Sequence, residues 1–194
     1  MNESLPDRLG TLLANRERSI RPEWDTRLAA VLIPIYVDQG EWHLVYTRRT
    51  ELVEEHRGQV SFPGGLVEDQ DESTQATALR EAEEEIGLDQ GAVQLLGSLD
   101  ALLTVTQFKI CPFVGMIPWP YPFKPSPDEV ARVFSVPLRW LLDPDNLEKR
   151  YRQAIPHTPE VPVYYFKPFQ DEIIWGATAR ITLNLLEILE TILD

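Results

Sequence analysis

The chain has 194 residues, enough for a core of its own, and its 43% hydrophobic and 25% charged residues fit an ordinary globular protein. A net charge of −13 disfavours nucleic acid and anionic membranes as partners, because both repel an acidic surface. One cysteine, Cys111, excludes an internal disulfide, and its neighbours Ile110 and Pro112 predict a buried thiol. The first 18 residues mix acids and bases without an apolar stretch, so no secretory signal is expected. No run reaches the ~20 apolar residues of a membrane span, and the cytoplasm is the expected compartment.

In chain order, Ser4 and Asp7 open a predicted helix over about 5–16, with Leu5, Leu9, Leu12 and Leu13 on its buried side. Residues 27–37 are apolar and β-branched enough for a buried strand. Asp38-Gln39-Gly40 turns it into a second strand over 42–48, making a hairpin. A strand-like piece over 59–66 is interrupted by Pro63, Gly64 and Gly65, and a helix over about 73–86 follows.

Residues 93–103 and 108–117 read as further strands. Proline recurs too often over 118–127 for a helix or a sheet interior, so this stretch is predicted to be a loop bordering the site. A strand over 129–136, a helical turn over 137–142 opened by Pro137, and a strand over 161–167 come next. The chain closes with a helix read from Ile173 to Leu193, about 176–193 in its main part, with Ile181, Leu185, Ile188, Leu189 and Ile192 toward the core. The interleaving predicts an α/β fold, a mixed β-sheet covered by helices on both faces, with residues 1–194 forming a single domain.

The most informative stretch is Arg80-Glu81-Ala82-Glu83-Glu84-Glu85, a short loop beyond Gly64-Gly65. Glu81, Glu84 and Glu85 stand at i, i+3 and i+4, so a helix puts their carboxylates on one side, where like charges repel. An acidic run by itself is a solvated helix face. Here it follows a strand ending in two glycines, which permit close backbone approach, and it is closed by Gly87 as a C-cap. A divalent ion would relieve the repulsion. Oxygen ligands without histidine or cysteine favour Mg²⁺ or Mn²⁺, so Glu81, Glu84 and Glu85 are the predicted metal ligands and the catalytic candidates.

From Gly65 to Leu88 the pattern is G-x6-E-x7-R-E-A-x-E-E-x-G-L. It closely resembles the Nudix hydrolase box at 65–88, with one residue more between the first glycine and the first glutamate. Holding the helix fixed assigns that glutamate to Glu72, whereas counting from Gly65 selects Asp71, and Glu72 is preferred. The resemblance implies an α/β/α sandwich of Nudix type and cleavage of a pyrophosphate by water. It gives Arg80 the task of pairing with Glu72 or Asp71 to hold the loop, pointing away from the substrate. Glu129 is a candidate general base behind Glu84 and Glu85.

Outside the box, Thr47-x-Arg49-Thr50, Glu54, Gly58 and Phe62-Pro63-Gly64-Gly65 resemble the signature of Nudix coenzyme A pyrophosphatases. So do Pro112–Gly115, Asp128-Glu129-Val130, Val136-Pro137-Leu138 and the stretch from Ile174 to Ala179. The likeness implies metal-dependent hydrolysis of coenzyme A, giving phosphopantetheine and adenosine 3′,5′-bisphosphate. Arg48, Arg49, His56 and the backbone at Gly65 are the candidate substrate contacts. Thr50 replaces a usual serine, and Glu54 reverses the charge of a usual arginine, which bears on recognition of the 3′-phosphate. Glu54 favours the alternative of a pyrophosphatase for ADP-ribose or another nucleoside diphosphate. A non-catalytic sensor of nucleotide metabolites is disfavoured by the intact box acids. The expected partner is a small-molecule nucleotide, and a homodimer is left open.

Overall fold

A computed structural model of the chain describes residues 4–16, 26–51, 58–153 and 160–193. After α1 (Leu5–Asn15), β1 (Arg27–Asp38) and β2 (Glu41–Arg49) form the predicted hairpin, with Ile35 opposite Leu44 and Asp38 opposite Glu41. Beyond Leu44 the two strands stop pairing, and residues 60–66 fill the gap. β3 (Val60–Ser61) pairs with β2, while β4 (Gly64–Leu66) pairs with β1. α2 (Thr74–Ile86) follows after the 67–73 loop and packs against β4 and β1.

β5 (Gln94–Ser98) and β6 (Leu102–Leu103) are separate short strands, both antiparallel to β7 (Phe108–Met116). The continuous strand expected over 93–103 is interrupted after Ser98, where Leu99 donates instead to the Pro112 carbonyl. β7 runs parallel to β1, which makes the eight-stranded sheet mixed. β8 (Val130–Pro137) pairs with the outer side of β2, and α3 (Leu138–Leu142) is the predicted helical turn.

β9 (Leu147–Gln153) was not anticipated. It pairs with β10 (Glu160–Phe166) in a two-stranded sheet standing apart from the main one. Ile173 to Trp175 precede the last helix as non-helical chain, Trp175 bridging back to Tyr165 and stacking on its ring, and α4 (Gly176–Leu193) starts only after them.

Two apolar layers follow from the alternation of β1 and β2. Ala30, Leu32, Tyr36 and Val45 meet Ala78, Ala82 and Ile86 of α2. Ile33, Ile35, Leu44 and Tyr46 meet Leu9 and Leu13 of α1 and Ile181, Leu185 and Leu189 of α4. Helices thus cover both faces of the sheet, as predicted. Cys111 is half-buried against the first layer. No helix among the described residues is long and apolar enough to cross a membrane.

One polar contact lies within the α4 layer. The fully buried Tyr46 hydroxyl is 3.1 Å from Thr182 Oγ1, which itself donates to the Thr178 carbonyl at 2.9 Å. Tyr46→Phe leaves Thr182 partnered and is expected to cost about 1 kcal/mol, whereas Thr182→Val strands a buried phenol and is expected to cost about 1–3 kcal/mol. Denaturant unfolding of the double variant should show it little worse than Thr182→Val alone. Simple addition of the two losses would show that the hydroxyls are uncoupled.

Candidate functional site

α2 is defined at both ends by its own sequence. The Ser73 hydroxyl accepts from the Ala76 N–H at 3.1 Å, and Gly87 closes the helix in the left-handed region at φ 67°. The last carbonyls would otherwise lack donors, and the proline-rich segment supplies them. The Lys124 N–H donates to Ile86 O and the Ser126 N–H to Glu85 O, both at 2.8 Å, and the Tyr121 hydroxyl donates to Gly87 O at 3.2 Å. Residues 118–127 therefore border the site as expected, fastened to its helix.

At the other wall, Gly64 lies opposite Val31 and Gly65 opposite Ala30. A Cβ at Gly64 would run into the Ala30 carbonyl and Val31, and one at Gly65 would occupy the space of the Glu81 carboxylate. Gly64 is a steric requirement because it meets backbone, whereas a side chain at Gly65 would displace the Glu81 carboxylate, and Gly65 does approach the acidic cluster.

The three box carboxylates share a side of α2 but not an environment. The Glu85 side chain is 3% exposed, 3.4 Å from Arg49 Nη1. Its Oε2 accepts from the Gly64 N–H at 3.3 Å. Glu81 is enclosed beside Gly65, whereas the Glu84 side chain is 58% exposed at the rim. Burial pushes the Glu85 carboxyl up to about 8, outweighing the attraction of Arg49, with the charges of Glu81 and Glu129 acting in the same direction as burial. Burial raises Glu81 as well, against the pull of Arg80 and with the help of Glu84 and Glu129. Glu129, in the turn before β8, thus brings a fourth carboxylate into electrostatic range.

The first acid of the box is Asp71, not the preferred Glu72. Arg80 Nε and Nη2 donate to the two Asp71 oxygens at 2.9 and 3.0 Å. Asp71 also accepts from the Glu68 N–H at 2.9 Å and the Thr77 hydroxyl at 2.8 Å, while Glu72 is exposed. The Arg80 hydrogen bonds, then the backbone donor, hold the Asp71 carboxyl well below the usual range. The extra residue is therefore absorbed at the helix side of the loop. Arg80 does not point away from the acids either: its Nη1 lies 2.9 Å from Glu84 Oε2 and 3.1 Å from Glu81 Oε1.

The substrate candidates separate. Arg49 reaches Glu85, while Arg48, just before the irregularity in the β2–β8 pairing, turns to the other face of the sheet. There Arg48 and Arg132 share the buried Glu172; of these three only Arg48 was expected from the sequence. His56, Glu54 and Arg57 lie outside the described residues, as does His157.

Among the described residues no three acidic or histidine side chains stand close enough together to hold an ion as they lie. The donors nevertheless suit a hard divalent cation: carboxylates only, beside a turn whose glycine leaves room for one of them. Arg80 Nη1 occupies the space between Glu81 and Glu84, and its other nitrogens remain anchored on Asp71 if it yields that space.

Comparison with known proteins gives the following likenesses. The family model for the NUDIX domain matches residues 26–158. The uncharacterized Nudix hydrolase NudL of Escherichia coli O1:K1 is 37% identical over 184 residues, covering 94% of this chain and 93% of that protein. NudL of Shigella boydii serotype 18 has the same identity and coverage. The NUDIX domain of Shewanella oneidensis NrtR, solved with ADP ribose, superposes with a TM-score of 0.55 at 14% identity, covering 95% of this chain and 97% of that one. A MutT/nudix family protein from Enterococcus faecalis gives a TM-score of 0.56 at 16% identity, covering 99% and 70%. At such identities the structures establish the fold alone.

Two measurements test this geometry. Asp71→Asn breaks an enclosed ion pair and is expected to cost about 3 kcal/mol or more in urea unfolding, while Glu72→Gln stays within about 0.5 kcal/mol. Equal effects would return the loop acid to Glu72. Glu85 binds its proton more tightly folded than unfolded, so raising the pH between the ordinary glutamate value and about 8 lowers stability. With chelator present, the stability advantage of Glu85→Gln over the parent should grow from about pH 5 to about pH 8. A difference independent of pH would mean that Glu85 is ionised throughout.

Proposed function

The chain belongs to the Nudix family, and from that premise we propose that it hydrolyses the pyrophosphate of coenzyme A or its derivatives, with Mg²⁺ or Mn²⁺ as cofactor. The products would be phosphopantetheine and adenosine 3′,5′-bisphosphate. The observation that carries the reaction class is the placement of Glu81 and Glu85 on one side of α2 beside the Gly64-Gly65 turn. The substrate assignment is supported by the ordered signature residues from Thr47 to Ala179.

Phosphoryl transfer to water demands charge neutralisation and positioning more than covalent chemistry. A bound divalent ion supplies charge to the phosphate oxygens and lowers the pKa of a water. Glu81 and Glu85 would hold it from the enclosed side and Glu84 from the rim. Glu85 gives up the proton that burial favours, and Arg49 then faces a full negative charge. Asp71 keeps Arg80 and the loop in place while the guanidinium releases Glu81 and Glu84. For taking a proton from the attacking water the candidates are Glu84 and Glu85, with Glu129 behind them.

Glu54 is the specific observation favouring ADP-ribose or another nucleoside diphosphate, because it removes a cation from a signature position. The purified protein should turn over coenzyme A only with a divalent metal. Glu84→Gln and Glu85→Gln should each lower kcat by about 10²-fold or more while the fold persists. Near-native turnover of both variants at saturating Mg²⁺ would remove the site, and a higher kcat/KM for ADP-ribose than for coenzyme A would transfer the chain to the second reading.

A further inference from the structure

We propose that Thr50 is a positioning residue of the acidic site, holding the two peptide carbonyls that flank Glu129 and so fixing that carboxylate beside the end of the acidic helix. This rests on the reading of the box acids as the seat of a divalent cation.

Thr50 directly follows Arg49 at the end of β2 and is only 6% exposed. The β2–β8 pairing is irregular between Arg48 and Arg49 and ends at the Arg49–Val130 pair. One residue on, Thr50 carries the contact past the sheet in two ways. Its N–H donates to the Glu129 carbonyl at 2.9 Å, and its Oγ1 donates to the Asp128 carbonyl at 3.1 Å. The Glu129 and Val130 N–H groups both donate to the Ser126 carbonyl, at 3.1 and 2.8 Å. All four polar groups of the two peptides on either side of the Glu129 Cα are therefore engaged, and Thr50 takes both carbonyls. Asp128 and Glu129 are exposed, so these bonds rather than burial hold the turn.

The turn is tied to the acids from its other end. The Ser126 N–H donates to the Glu85 carbonyl at 2.8 Å, and Arg49 Nη1 lies 3.4 Å from Glu85 Oε1. These contacts close a ring, from Glu85 through Arg49 and Thr50 to the 126–129 turn and back to Glu85. Glu129 is thus placed with respect to the helix end that carries Glu85. Its charge is felt there: burial is the main cause that raises the Glu81 and Glu85 carboxyls, and Glu129 acts on each in the same direction. A carboxylate that repels two acids is unfavourable in an empty site and attracts a cation standing among them.

The hydroxyl distinguishes Thr50 from a residue that only fills space. Valine keeps the volume and the backbone bond but releases the Asp128 carbonyl, whereas serine keeps both bonds.

Calorimetry of Mn²⁺ binding to the full chain, without substrate, tests the assignment. Glu129→Gln should weaken Mn²⁺ binding about tenfold, as removal of one nearby negative charge predicts. Thr50→Val should reproduce much of that loss, about threefold or more, because groups that orient a carboxylate carry part of its effect. Thr50→Ser should restore the parent affinity, and Thr50→Val should add little in the Glu129→Gln background. A merely structural Thr50 would lower the urea midpoint in Thr50→Val while leaving the Mn²⁺ affinity of the folded protein unchanged, which overturns the proposal. An equal loss from Thr50→Val with and without the Glu129 carboxylate also overturns it. Glu129 is exposed, so Glu129→Gln folds even if Thr50→Val does not, and parent-like Mn²⁺ affinity in that variant is sufficient to reject the assignment. Binding lost in Glu84→Gln but untouched in Glu129→Gln removes the proposal alone, whereas no Mn²⁺ binding by the parent removes the cation reading with it.

Discussion

The site depends on a gap between two strands. β1 and β2 part after the Ile35–Leu44 pair, and the segment that fills the opening carries two glycines where it meets the acidic helix. The missing side chains at Gly64 and Gly65 let backbone lie against Ala30 and Val31 on one side and against Glu81 on the other. The helix comes this close because Ala78 and Ala82, the smallest residues on its apolar face, are fully buried against the sheet. Gly64 then offers its N–H to Glu85 and Gly65 offers space to Glu81. The positions of both enclosed acids are consequences of strand divergence and small residues.

Such a cluster must be neutralised to persist in a chain already carrying an excess of acids. Three different devices achieve this. Arg80 bridges Glu81 and Glu84 while its remaining nitrogens are held by Asp71. Arg49 faces Glu85 from β2. Burial supplies the third, raising Glu85 to about 8 so that near neutrality its proton does the work a cation would otherwise do. In the proposed mechanism a divalent ion would take over from the first and third without dismantling the loop, because the Asp71 contact is separate from the contacts that must be given up.

What could be read from sequence was what depends on near neighbours. The Ser73 cap, the Gly87 stop and the i, i+3, i+4 acids are relations within one helix, and the structure keeps them. The choice between Asp71 and Glu72 was not of this kind. Spacing counts residues, whereas the outcome depended on where the Glu68 N–H and the Thr77 hydroxyl point, and both point at Asp71. Strand alternation does not say which of Arg48 and Arg49 meets the helix. β9 escaped notice because Leu147–Gln153 is exposed along nearly its whole length, and apolar periodicity reports burial, which this hairpin lacks. Glu172 has no local signal at all, since its partners come from β2 and β8, far along the chain.

The two ends of the problem are thereby assigned to different kinds of structure. The acids and their glycine turn sit on elements fixed by core packing: α2 on the sheet, with the proline-rich segment bonded to its last carbonyls. Arg48 of β2 and Arg132 of β8 pair with the buried Glu172 of the 169–172 turn, away from the acids, and both guanidinium groups are half exposed. The acidic site and the Glu172 ion pairs are kept apart by β2 itself. Its last two arginines stand next to each other in sequence, yet one faces the acids and the other faces away.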